Sequence, residues 1–419
     1  YSPEQKQLYI IYSEKRNSYI TFPTYFTWLK SSNHFAIIRE KDNYNRLCTY
    51  TIDGNLERVI TEWNNDVTQI IAYDKDADYL FFEFAEPDEM QRRIYKVRPD
   101  DGSSLGCITP ENGTNSNVIF SNNYKHCIYT NSNSKQEWTI YSFDSENNLK
   151  SILYTNKETL SEQDYSFSPK EFFTIQLDSA LKLNAWIIKP PHFRKTKKYP
   201  VLLSIYSGPG AQTVTNEFEY NFYWYQYLAQ HGYIVLSIDP RGTDARGSAF
   251  RNAQYKQLGF TQMLDLTKSI EIIKKQRFID STRIGIEGWS FGGYQTLMCM
   301  THSKLFKCGI AIAPVTDWNL YDCIYTERYM QTPLLNPDGY KKTSVLNAAA
   351  NLHGKLFLIH GTSDDNVHID NTYRLCKVLN ENQKQYDLKI FPEKRHSISG
   401  KGTRYYLYRE ISDFLFKNL

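Results

Sequence analysis

The sequence RIGIEGWSFGGYQTLMCM, residues 283–300, carries the strongest fold signal in the chain. It predicts an apolar strand over 283–288, a turn with the pattern Gly-x-Ser-x-Gly over 288–292, and a helix from 293 onward. Glycines on both sides of a serine let a strand turn sharply into a helix, hold the serine in a strained backbone and leave its hydroxyl exposed. The pattern alone is weak, because glycine and serine are common residues. Between a strand and a helix, it favours Ser290 as a nucleophile over a purely structural serine.

Apolar strands that alternate with amphipathic helices surround this turn, beginning after the basic segment HFRKTKKYP. Besides 283–288, the predicted strands are VLLSIY (201–206), YIVLSID (233–239), CGIAIAPV (308–315), KLFLIHG (355–361) and DLKIFP (387–392). A helix is predicted over 262–276, where Leu264, Ile270 and Ile273 recur at helical intervals, and a last helix near 404–416. Buried strands separated by helices predict a mostly parallel, doubly wound α/β sheet of the α/β-hydrolase type.

A repeat runs through roughly the first 160 residues. Two Asp-Gly turns lie 48 residues apart between strand-like runs, and Thr61, Thr109 and Thr155 close successive units at intervals of 48 and 46 residues. Four short strands in a unit of that length fit a β-propeller blade better than a sandwich, whose strands do not recur with a fixed period. About three blades fit, whereas a closed propeller needs roughly four to eight. We therefore expect a partial propeller over 1–165, a hydrolase domain over 166–419, and further blades upstream in a longer protein.

Composition and charge argue against several classes of function. The 49 Lys and Arg nearly balance the 46 Asp and Glu without a long run of one sign, which disfavours nucleic-acid and membrane-surface partners. The seven cysteines are scattered without CxxC spacing, which argues against a zinc site or a dense disulfide framework. No apolar stretch in the sequence approaches the roughly 20 residues of a membrane-spanning helix. We expect no metal and no cofactor, and partners among small molecules and peptides.

A nucleophilic serine needs a general base and an orienting carboxylate, which in this fold follow it in the order Asp, His. Asp364 and Asp365 open the loop after KLFLIHG, and His396 lies in the loop after DLKIFP. Both loops would reach the carboxyl edge of the sheet beside the serine. His368 follows the acidic pair too closely to span easily from a carboxylate to the serine, so His396 is the expected base. The residues alone do not choose between the two aspartates.

Four aromatic residues follow the strand CGIAIAPV. Trp318, Tyr321, Tyr325 and Tyr329 recur at spacings of three, four and four, which predicts one aromatic face of a helix. Such a face usually packs in a core. Its position at the catalytic edge of the sheet, where loops shape substrate pockets, gives the alternative of a pocket wall.

Longer sequence segments around these residues resemble those of the prolyl oligopeptidase family, and within it the bacterial-type dipeptidyl peptidase IV branch. They cover nearly all of residues 185–419 in order, and they read KPPHF, KKYPVLLSIYSGPG, RIGIEGWSFGGY, FKCGIAIAPVTDWNLYDCIYTERYM and HGTSDDNVH. GWSFGGY together with YTERYM is far more specific than Gly-x-Ser-x-Gly. A propeller ahead of the hydrolase domain also suits this family. The chain is similar to the C-terminal part of such a protein.

The resemblance implies a catalytic role for five residues. Ser290 would be the nucleophile, Asp364, the first of the pair, the orienting acid, and His396 the base. The hydroxyl of Tyr206 would join the backbone N–H of Phe291 in the oxyanion hole, where donors face the developing negative charge. From the sequence alone, Tyr206 is only an aromatic residue at a strand end, and packing would be the better interpretation.

The resemblance also implies a substrate pocket. Asn366 would hold the substrate carbonyl one position upstream, although without the family it reads equally well as a turn residue. Phe291 stands where many relatives have tyrosine, which suits a hydrophobic wall. The family's pair of propeller glutamates that captures the free amino terminus of the substrate has no counterpart in this chain. A small hydrophobic slot for a proline ring would be lined by Val315, Trp318, Tyr321, Tyr325 and Val367, with Phe291 at its side.

The expected function is that of a serine peptidase that releases N-terminal X-Pro or X-Ala dipeptides from peptides through an acyl-enzyme. Two alternatives remain at this point. One is another peptidase of the same family, an endo-oligopeptidase or an acylaminoacyl peptidase. The other is an inactive scaffold whose propeller binds proteins. Relatives further suggest a homodimer and a periplasmic, secreted or cell-surface location.

Overall fold

The computed structural model describes residues 8–20, 26–31, 33–109, 111–145, 147–155 and 167–419. These residues form two compact units. The first unit contains the described residues up to 155, together with Thr215–Glu219 and Ala245–Phe250, and the second contains the others from 167 onward. The predicted domain boundary, between residues 165 and 166, lies outside the described residues and stays a prediction.

The first unit contains three four-stranded antiparallel sheets among its described residues. In each sheet the strands follow one another in chain order. The first sheet comprises β1 Phe26–Trp28, β2 His34–Lys41, β3 Tyr44–Thr51 and β4 Leu56–Val59. The second comprises β5 Val67–Asp74, β6 Tyr79–Phe84, β7 Arg93–Val97 and β8 Ser104–Cys107, and the third β9 Thr114–Phe120, β10 His126–Asn133, β11 Gln136–Asp144 and β12 Leu149–Thr155. These sheets correspond to the three predicted repeats.

The threonine that marks the repeat has the same contact in the first two sheets. Thr61 Oγ1 accepts the backbone N–H of Leu47 in β3 at 3.0 Å, and Thr109 Oγ1 accepts that of Ile94 in β7 at 2.9 Å. The glycine of each Asp-Gly turn has a positive φ, 80° before β4 and 72° before β8, a conformation that glycine adopts without strain. The repeat is therefore a repeat of backbone hydrogen bonding as well as of sequence.

Two short segments of later sequence belong to the first unit and were not predicted. The backbone N–H of Asn216 donates to the carbonyl oxygen of Met90 at 2.8 Å. The backbone N–H of Gly247 donates to Asp66 Oδ2 at 2.8 Å. A Cβ atom at Gly247 would lie 2.6 Å from the carbonyl oxygen of Asn43, so this close approach requires glycine. Nothing in the local sequence distinguishes these segments from ordinary loops of the second unit.

The second unit contains an eight-stranded sheet in the order β13-β14-β16-β15-β17-β18-β19-β20. Neighbouring strands from β16 through β20 pair in parallel, and β13 and β14 extend the sheet by antiparallel pairing. The strands are β13 Lys170–Gln176, β14 Lys182–Ile188, β15 Tyr199–Ile205, β16 Ile234–Asp239, β17 Ile279–Trp289, β18 Cys308–Ile312, β19 Lys355–Gly361 and β20 Asp387–Phe391. The six strands read from the sequence are present, and the two antiparallel strands at one end of the sheet, β13 and β14, were missed. The predicted fold class, propeller-like sheets followed by a doubly wound α/β-hydrolase sheet, is confirmed.

Most of the helices lie in the second unit, where they connect the parallel strands, and one short helix begins in the segment Ala245–Phe250 of the first unit. Their bounds are α1 Phe222–Gln230, α2 Ser248–Arg251, α3 Phe260–Ile273, α4 Phe291–His302, α5 Cys323–Met330, α6 Pro337–Thr343, α7 Val345–Ala348, α8 Asp370–Glu381 and α9 Thr403–Asn418. Helix α3 buries Met263, Leu266, Ile270 and Ile273, whereas Leu264 is 47% exposed although the sequence pattern grouped it with Ile270 and Ile273. In α4, by contrast, every residue up to Thr301 is buried, because this helix packs against the central strands β17 and β18.

Candidate active site

Ser290 lies at the turn between β17 and α4, with φ 59° and ψ −117°. A positive φ is unfavourable for a residue with a side chain, so the surrounding structure must hold this conformation in place. The flanking glycines permit it. A Cβ atom at Gly288 would lie 2.4 Å from the backbone of Gly292, and one at Gly292 would lie 2.3 Å from the carbonyl oxygen of Ile205. The glycines of the Gly-x-Ser-x-Gly pattern are thus required by backbone contacts on both sides of the serine.

The start of α4 supplies backbone donors beside Ser290. Phe291 is the first residue of the helix, and N–H groups of the first turn have no acceptor within a helix. Together with the helix dipole, this favours negative charge near the Phe291 amide. The backbone of Ser290 is itself anchored, because its N–H donates to the carbonyl oxygen of Ile312 at 2.8 Å and its carbonyl accepts from Tyr294 at 3.0 Å.

Tyr206 follows β15 directly, and its ring lies 6.1 Å from that of Phe291, measured between centroids. Burial raises the pKa of Tyr206, and the neighbouring Tyr329 adds to the shift. A raised pKa keeps the phenol protonated at neutral pH, so its O–H can act as a hydrogen-bond donor. The structure thus places the Tyr206 ring beside the ring of Phe291, the residue whose backbone N–H the resemblance assigns to the oxyanion hole.

Asp364 and His396 form a direct hydrogen bond. The distance between His396 Nδ1 and Asp364 Oδ2 is 2.7 Å, and the Asp364 side chain has no exposed surface. Asp364 Oδ1 accepts two backbone N–H groups, from Asn366 at 3.0 Å and Val367 at 2.9 Å. Burial alone would raise the pKa of Asp364, but hydrogen bonds from His360 and His396 outweigh it and hold the pKa well below its ordinary value. An ionised carboxylate orients the imidazole so that Nε2 is available as a base.

The structure distinguishes Asp364 from Asp365, which the sequence left open, and His396 from His368. Asp365 is exposed, and its nearest charged partner is Arg395 at 3.5 Å. His368 is also exposed, and its Nδ1 accepts the backbone N–H of Asp370 at 3.2 Å, at the start of α8. Asp364 therefore lies against His396, whereas Asp365 and His368 face other partners.

Trp289, the residue before Ser290, connects the turn to the histidine loop. Its indole N–H donates to the backbone carbonyl oxygen of His396 at 3.0 Å. The guanidinium of Arg404, in α9, lies 4.7 Å from the centre of the Trp289 ring. Because Trp289 and Ser290 are adjacent in the chain, this bond sets the position of the His396 backbone relative to the serine. Nothing in the Gly-x-Ser-x-Gly pattern indicates this contact.

The aromatic residues after β18 form a continuous row of rings. The ring centroids of Trp318 and Tyr325 are 6.1 Å apart, those of Tyr321 and Tyr325 5.3 Å, and those of Tyr325 and Tyr329 5.0 Å. Phe291 extends the row from the other side, 5.6 Å from Trp318. Trp318 and Tyr329 are buried, whereas Tyr321 and Tyr325 are partly exposed. The row thus combines core packing, at its two ends, with the exposed position that a pocket wall requires, in its middle.

The prediction that these four residues share one helix is wrong. Trp318 lies in a short 3₁₀ turn, and only Tyr325 and Tyr329 lie in α5. Two aspartates cause the break: Asp317 Oδ1 accepts the N–H of Asn319 at 2.8 Å, and Asp322 Oδ1 accepts the N–H of Tyr325 at 2.8 Å. Each side chain satisfies backbone donors at the start of a separate helical segment, which is the usual role of aspartate at an N-cap.

The remaining predicted pocket residues lie in the same region. The hydroxyl of Tyr321 donates to Asn366 Oδ1 at 2.7 Å. The Oδ1 atom is thereby used as an acceptor, and the Nδ2 group is the donor that a substrate carbonyl requires. Val367, in the loop after β19, and Val315, which follows β18, are both fully or almost fully buried. Burial suits apolar wall residues, and Asn366 remains exposed beside them.

Two buried residues beside the site were missed by the sequence reasoning. His360, in β19, has a fully buried side chain 3.2 Å from Asp364, measured from Nε2 to Oδ2. Glu287, three residues before Ser290, is buried in β17, and burial raises its pKa to about 7, against a hydrogen bond from Ser204 that lowers it. The available signal was a charged or titratable residue inside an apolar strand, because such a residue requires partners.

In the described part of the chain, no three His, Cys, Asp or Glu side chains gather in a way that could hold a metal ion. None of the helices described has both the length and the apolar character needed to cross a bilayer.

Two family models and several known proteins match this chain. The family model described as prolyl oligopeptidase family matches residues 218–419, and the model of the dipeptidyl peptidase IV N-terminal region matches residues 1–138. A probable dipeptidyl-aminopeptidase B of the fungus Arthroderma otae is 34% identical over 384 residues, which are 89% of this chain and 42% of the relative.

Two solved structures are also similar. The crystal structure of Porphyromonas gingivalis dipeptidyl peptidase 4 has a TM-score of 0.91 and 38% identity, and the match covers 98% of this chain and 58% of that one. The crystal structure of a putative dipeptidyl aminopeptidase IV from Bacteroides ovatus has a TM-score of 0.85 and 29% identity, over 96% of this chain and 58% of that one. The chain therefore spans about half the length of these relatives.

Proposed function

Because the chain belongs to the prolyl oligopeptidase family, we propose that it is the catalytic part of a serine dipeptidyl peptidase that releases X-Pro and X-Ala dipeptides from the amino terminus of peptides. The single observation that carries the proposal is the 2.7 Å bond between Asp364 and His396, in the loops beside the Ser290 turn. The relatives named as dipeptidyl peptidases support the choice of reaction over an endo-oligopeptidase or a binding scaffold.

The proposed reaction proceeds through an acyl-enzyme. Nε2 of His396 removes the proton from Ser290 Oγ as the oxygen attacks the carbonyl carbon after the second residue of the substrate. The resulting oxyanion accepts hydrogen bonds from the Tyr206 hydroxyl and the Phe291 N–H. The carbon–nitrogen bond then breaks, and His396 gives its proton to the leaving amine. Water, deprotonated by His396, hydrolyses the ester and releases the dipeptide and the free serine hydroxyl.

The proposed preference for proline rests on the shape of the pocket wall. A compact, apolar ring fits a flat slot lined by Val315, Trp318, Tyr321, Tyr325 and Val367, with Phe291 at its side. Alanine would fit the same slot with less apolar contact. The Nδ2 group of Asn366 would donate to the carbonyl of the residue before proline, and the bond from Tyr321 holds the Asn366 side chain for that role.

The proposal is tested on the natural full-length protein with amino-free and amino-blocked Ala-Pro and Gly-Pro reporter substrates. We expect turnover of the free substrates alone, and none by Ser290→Ala. Turnover of the blocked substrates would instead identify an oligopeptidase or an acylaminoacyl peptidase. Failure of a fluorophosphonate probe to label Ser290 would identify a scaffold without hydrolase activity.

The expected homodimer is part of the same proposal. It rests on the similarity to relatives. Analytical ultracentrifugation of the full-length protein tests it, since a dimer sediments as a single species of twice the chain mass.

A further inference from the structure

His360 is a fully buried imidazole in β19 whose two nitrogens both have partners. Its Nε2 lies 2.8 Å from the carbonyl oxygen of Val367 and 3.2 Å from Asp364 Oδ2. Its Nδ1 lies 2.7 Å from Thr372 Oγ1, in the first turn of α8. Because a carbonyl oxygen can only accept, Nε2 must carry a proton. In the neutral ring the hydroxyl of Thr372 then donates to Nδ1, so every polar atom of this buried group is satisfied.

The proton on Nε2 of His360 faces two parts of one loop. One is the carboxylate of Asp364, the proposed acid, and the other is the backbone of Val367, a proposed wall of the proline slot. The N–H of Val367 in turn donates to Asp364 Oδ1 at 2.9 Å. The imidazole, the carboxylate and the valine backbone therefore form a closed set of hydrogen bonds. Moving any one of them strains the other two.

Asp364 has four donors in this arrangement. Oδ1 accepts the N–H groups of Asn366 and Val367, whereas Oδ2 accepts from His396 and shares the Nε2–H of His360 with the carbonyl oxygen of Val367. A carboxylate with all four acceptor positions occupied has a single orientation. Without His360, Oδ2 would keep only the bond to His396, and the carboxylate could rotate about its Cβ–Cγ bond.

We propose that His360 is a positioning residue of the peptidase site. Its Nε2–H holds Asp364, the proposed acid, and Val367, a proposed wall of the proline slot, in one fixed arrangement. This inference rests on the proposed function of Asp364 and Val367. His360 does not touch the substrate or the reacting atoms. It acts through Asp364 on the orientation of His396, and through Val367 on the shape of the slot.

The charges around Asp364 give the inference a measurable consequence. The titratable groups that face this carboxylate are His360, His396 and Tyr321. The bond from His360 is among the causes that lower the pKa of Asp364. Without that donor the negative charge is less compensated, and it attracts the protonated form of His396 more strongly. Reactivity of Ser290 requires neutral His396, so the acid limb of the pH–rate profile moves to higher pH.

Two amide variants separate the two nitrogens of His360. In His360→Gln, the side-chain amide nitrogen reaches the place of Nε2, so a donor to Asp364 and Val367 remains while the partner of Thr372 is lost. In His360→Asn, the amide reaches the place of Nδ1, so the contact with Thr372 remains while the donor to Asp364 is lost. Both variants replace the buried imidazole with a smaller amide, and each loses the contacts of one ring nitrogen. The structural disturbance is therefore similar in the two variants, and each serves as the control for the other.

The measurement is the rate at which a fluorophosphonate labels Ser290 in the full-length protein, as a function of pH, together with kcat and KM for an Ala-Pro reporter. For His360→Asn we expect an acid limb about half a pH unit higher, a kcat about tenfold lower, and a raised KM. For His360→Gln we expect the wild-type acid limb and a kcat within about threefold of wild type. Thermal unfolding of both variants reports the purely structural cost.

The outcomes separate this inference from the proposed function. If the wild-type protein is not labelled at all, the nucleophile itself is wrong and both proposals fall. If the wild type is labelled and the two variants change the profile equally, or His360→Asn keeps the wild-type acid limb, only the role of His360 is overturned. Should His360→Asn not fold, His360→Gln decides alone, because a shifted acid limb in a variant that keeps the donor contradicts the inference.

Discussion

The indole N–H of Trp289 donates to the backbone carbonyl oxygen of His396 at 3.0 Å, so the residue before the proposed nucleophile holds the loop of the proposed base. The two residues are 107 positions apart in the chain. Their contact joins the turn after β17 to the loop after β20, two strands that are not neighbours in the sheet. The alignment of serine and histidine therefore depends on a side chain that takes no part in the chemistry.

We expect Trp289→Phe to lower kcat about fivefold with little change in KM, because loss of one hydrogen bond costs about 1 kcal/mol and affects the alignment of the base more than substrate binding. Steady-state kinetics with an Ala-Pro reporter measures both constants. Trp138→Phe is the matched control, since Trp138 is an exposed tryptophan in β11. Equal kinetics for Trp289→Phe and the wild type would contradict a positioning role.

Asp364→Asn and Asp365→Asn test the choice between adjacent aspartates. We expect Asp364→Asn to lower kcat about 10³- to 10⁴-fold, because an amide holds the wrong tautomer of the histidine and does not stabilise its protonated form. Asp365→Asn should retain activity within about twofold, since Asp365 is exposed and its ion pair with Arg395 is a surface pair. The same reporter assay compares them. A larger loss in Asp365→Asn would assign the acid to the second residue of the pair.

Tyr206→Phe removes one of the two proposed oxyanion donors and keeps the ring. We expect kcat to fall about 10²- to 10³-fold with KM little changed, since the hydroxyl would bind the charge that develops in the transition state. Tyr373→Phe, in α8, removes an exposed hydroxyl as the control. An unchanged kcat in Tyr206→Phe would leave Tyr206 with a packing role, which is the better interpretation of the sequence alone.

Glu287→Gln tests the pH dependence of stability. The pKa of Glu287 is raised to about 7, above its ordinary value, so folding favours the protonated form. The stability that the wild type gains from this proton is present at low pH and is lost as the pH rises from about 4 toward 7 and above. Glutamine cannot ionise and can keep the hydrogen bond to Ser204, so we expect Glu287→Gln to be more stable than the wild type at about pH 8 and similar at about pH 4.

Thermal unfolding across this range measures the effect of Glu287→Gln. Glu271→Gln is the control, because Glu271 is an exposed residue of α3 that pairs with Lys274. Any difference in stability between Glu271→Gln and the wild type should be the same at every pH tested. A Glu287→Gln variant that is less stable than the wild type at high pH would mean that the carboxylate is ionised and well solvated in the folded protein.

The local sequence was enough to predict the elements that are determined by local backbone sterics and by the pattern of apolar side chains. The strand, the Gly-x-Ser-x-Gly turn and the helix over 283–300 could be read directly, because backbone sterics require glycine on both sides of Ser290. The repeat could be read because the first two units each bury a threonine and turn at a glycine, at a spacing of 48 residues. Strands β15, β16, β18 and β19 could be read because nearly all their side chains are buried, on both faces, and form apolar runs.

Contacts between distant segments could not be read in this way. The segments Thr215–Glu219 and Ala245–Phe250 have no pattern that distinguishes them from loops, since their places depend on partners elsewhere in the chain. The antiparallel pairing of β14 with β16 likewise joins segments that are distant in the chain. The break between Trp318 and α5 was hidden because aspartate caps interrupt an aromatic spacing that fits one helix.

The same reason applies at the site. Asp364 and Asp365 are equivalent in local sequence, and only the packing of the loop after β19 turns the first of them toward His396 and His360. Hydrogen bonds of Trp289 and His360 join residues from separate strands and loops, and a hydrogen bond needs a partner within about 3 Å. Sequence names the groups that can react, whereas the folded chain sets the distances and burial on which their chemistry depends.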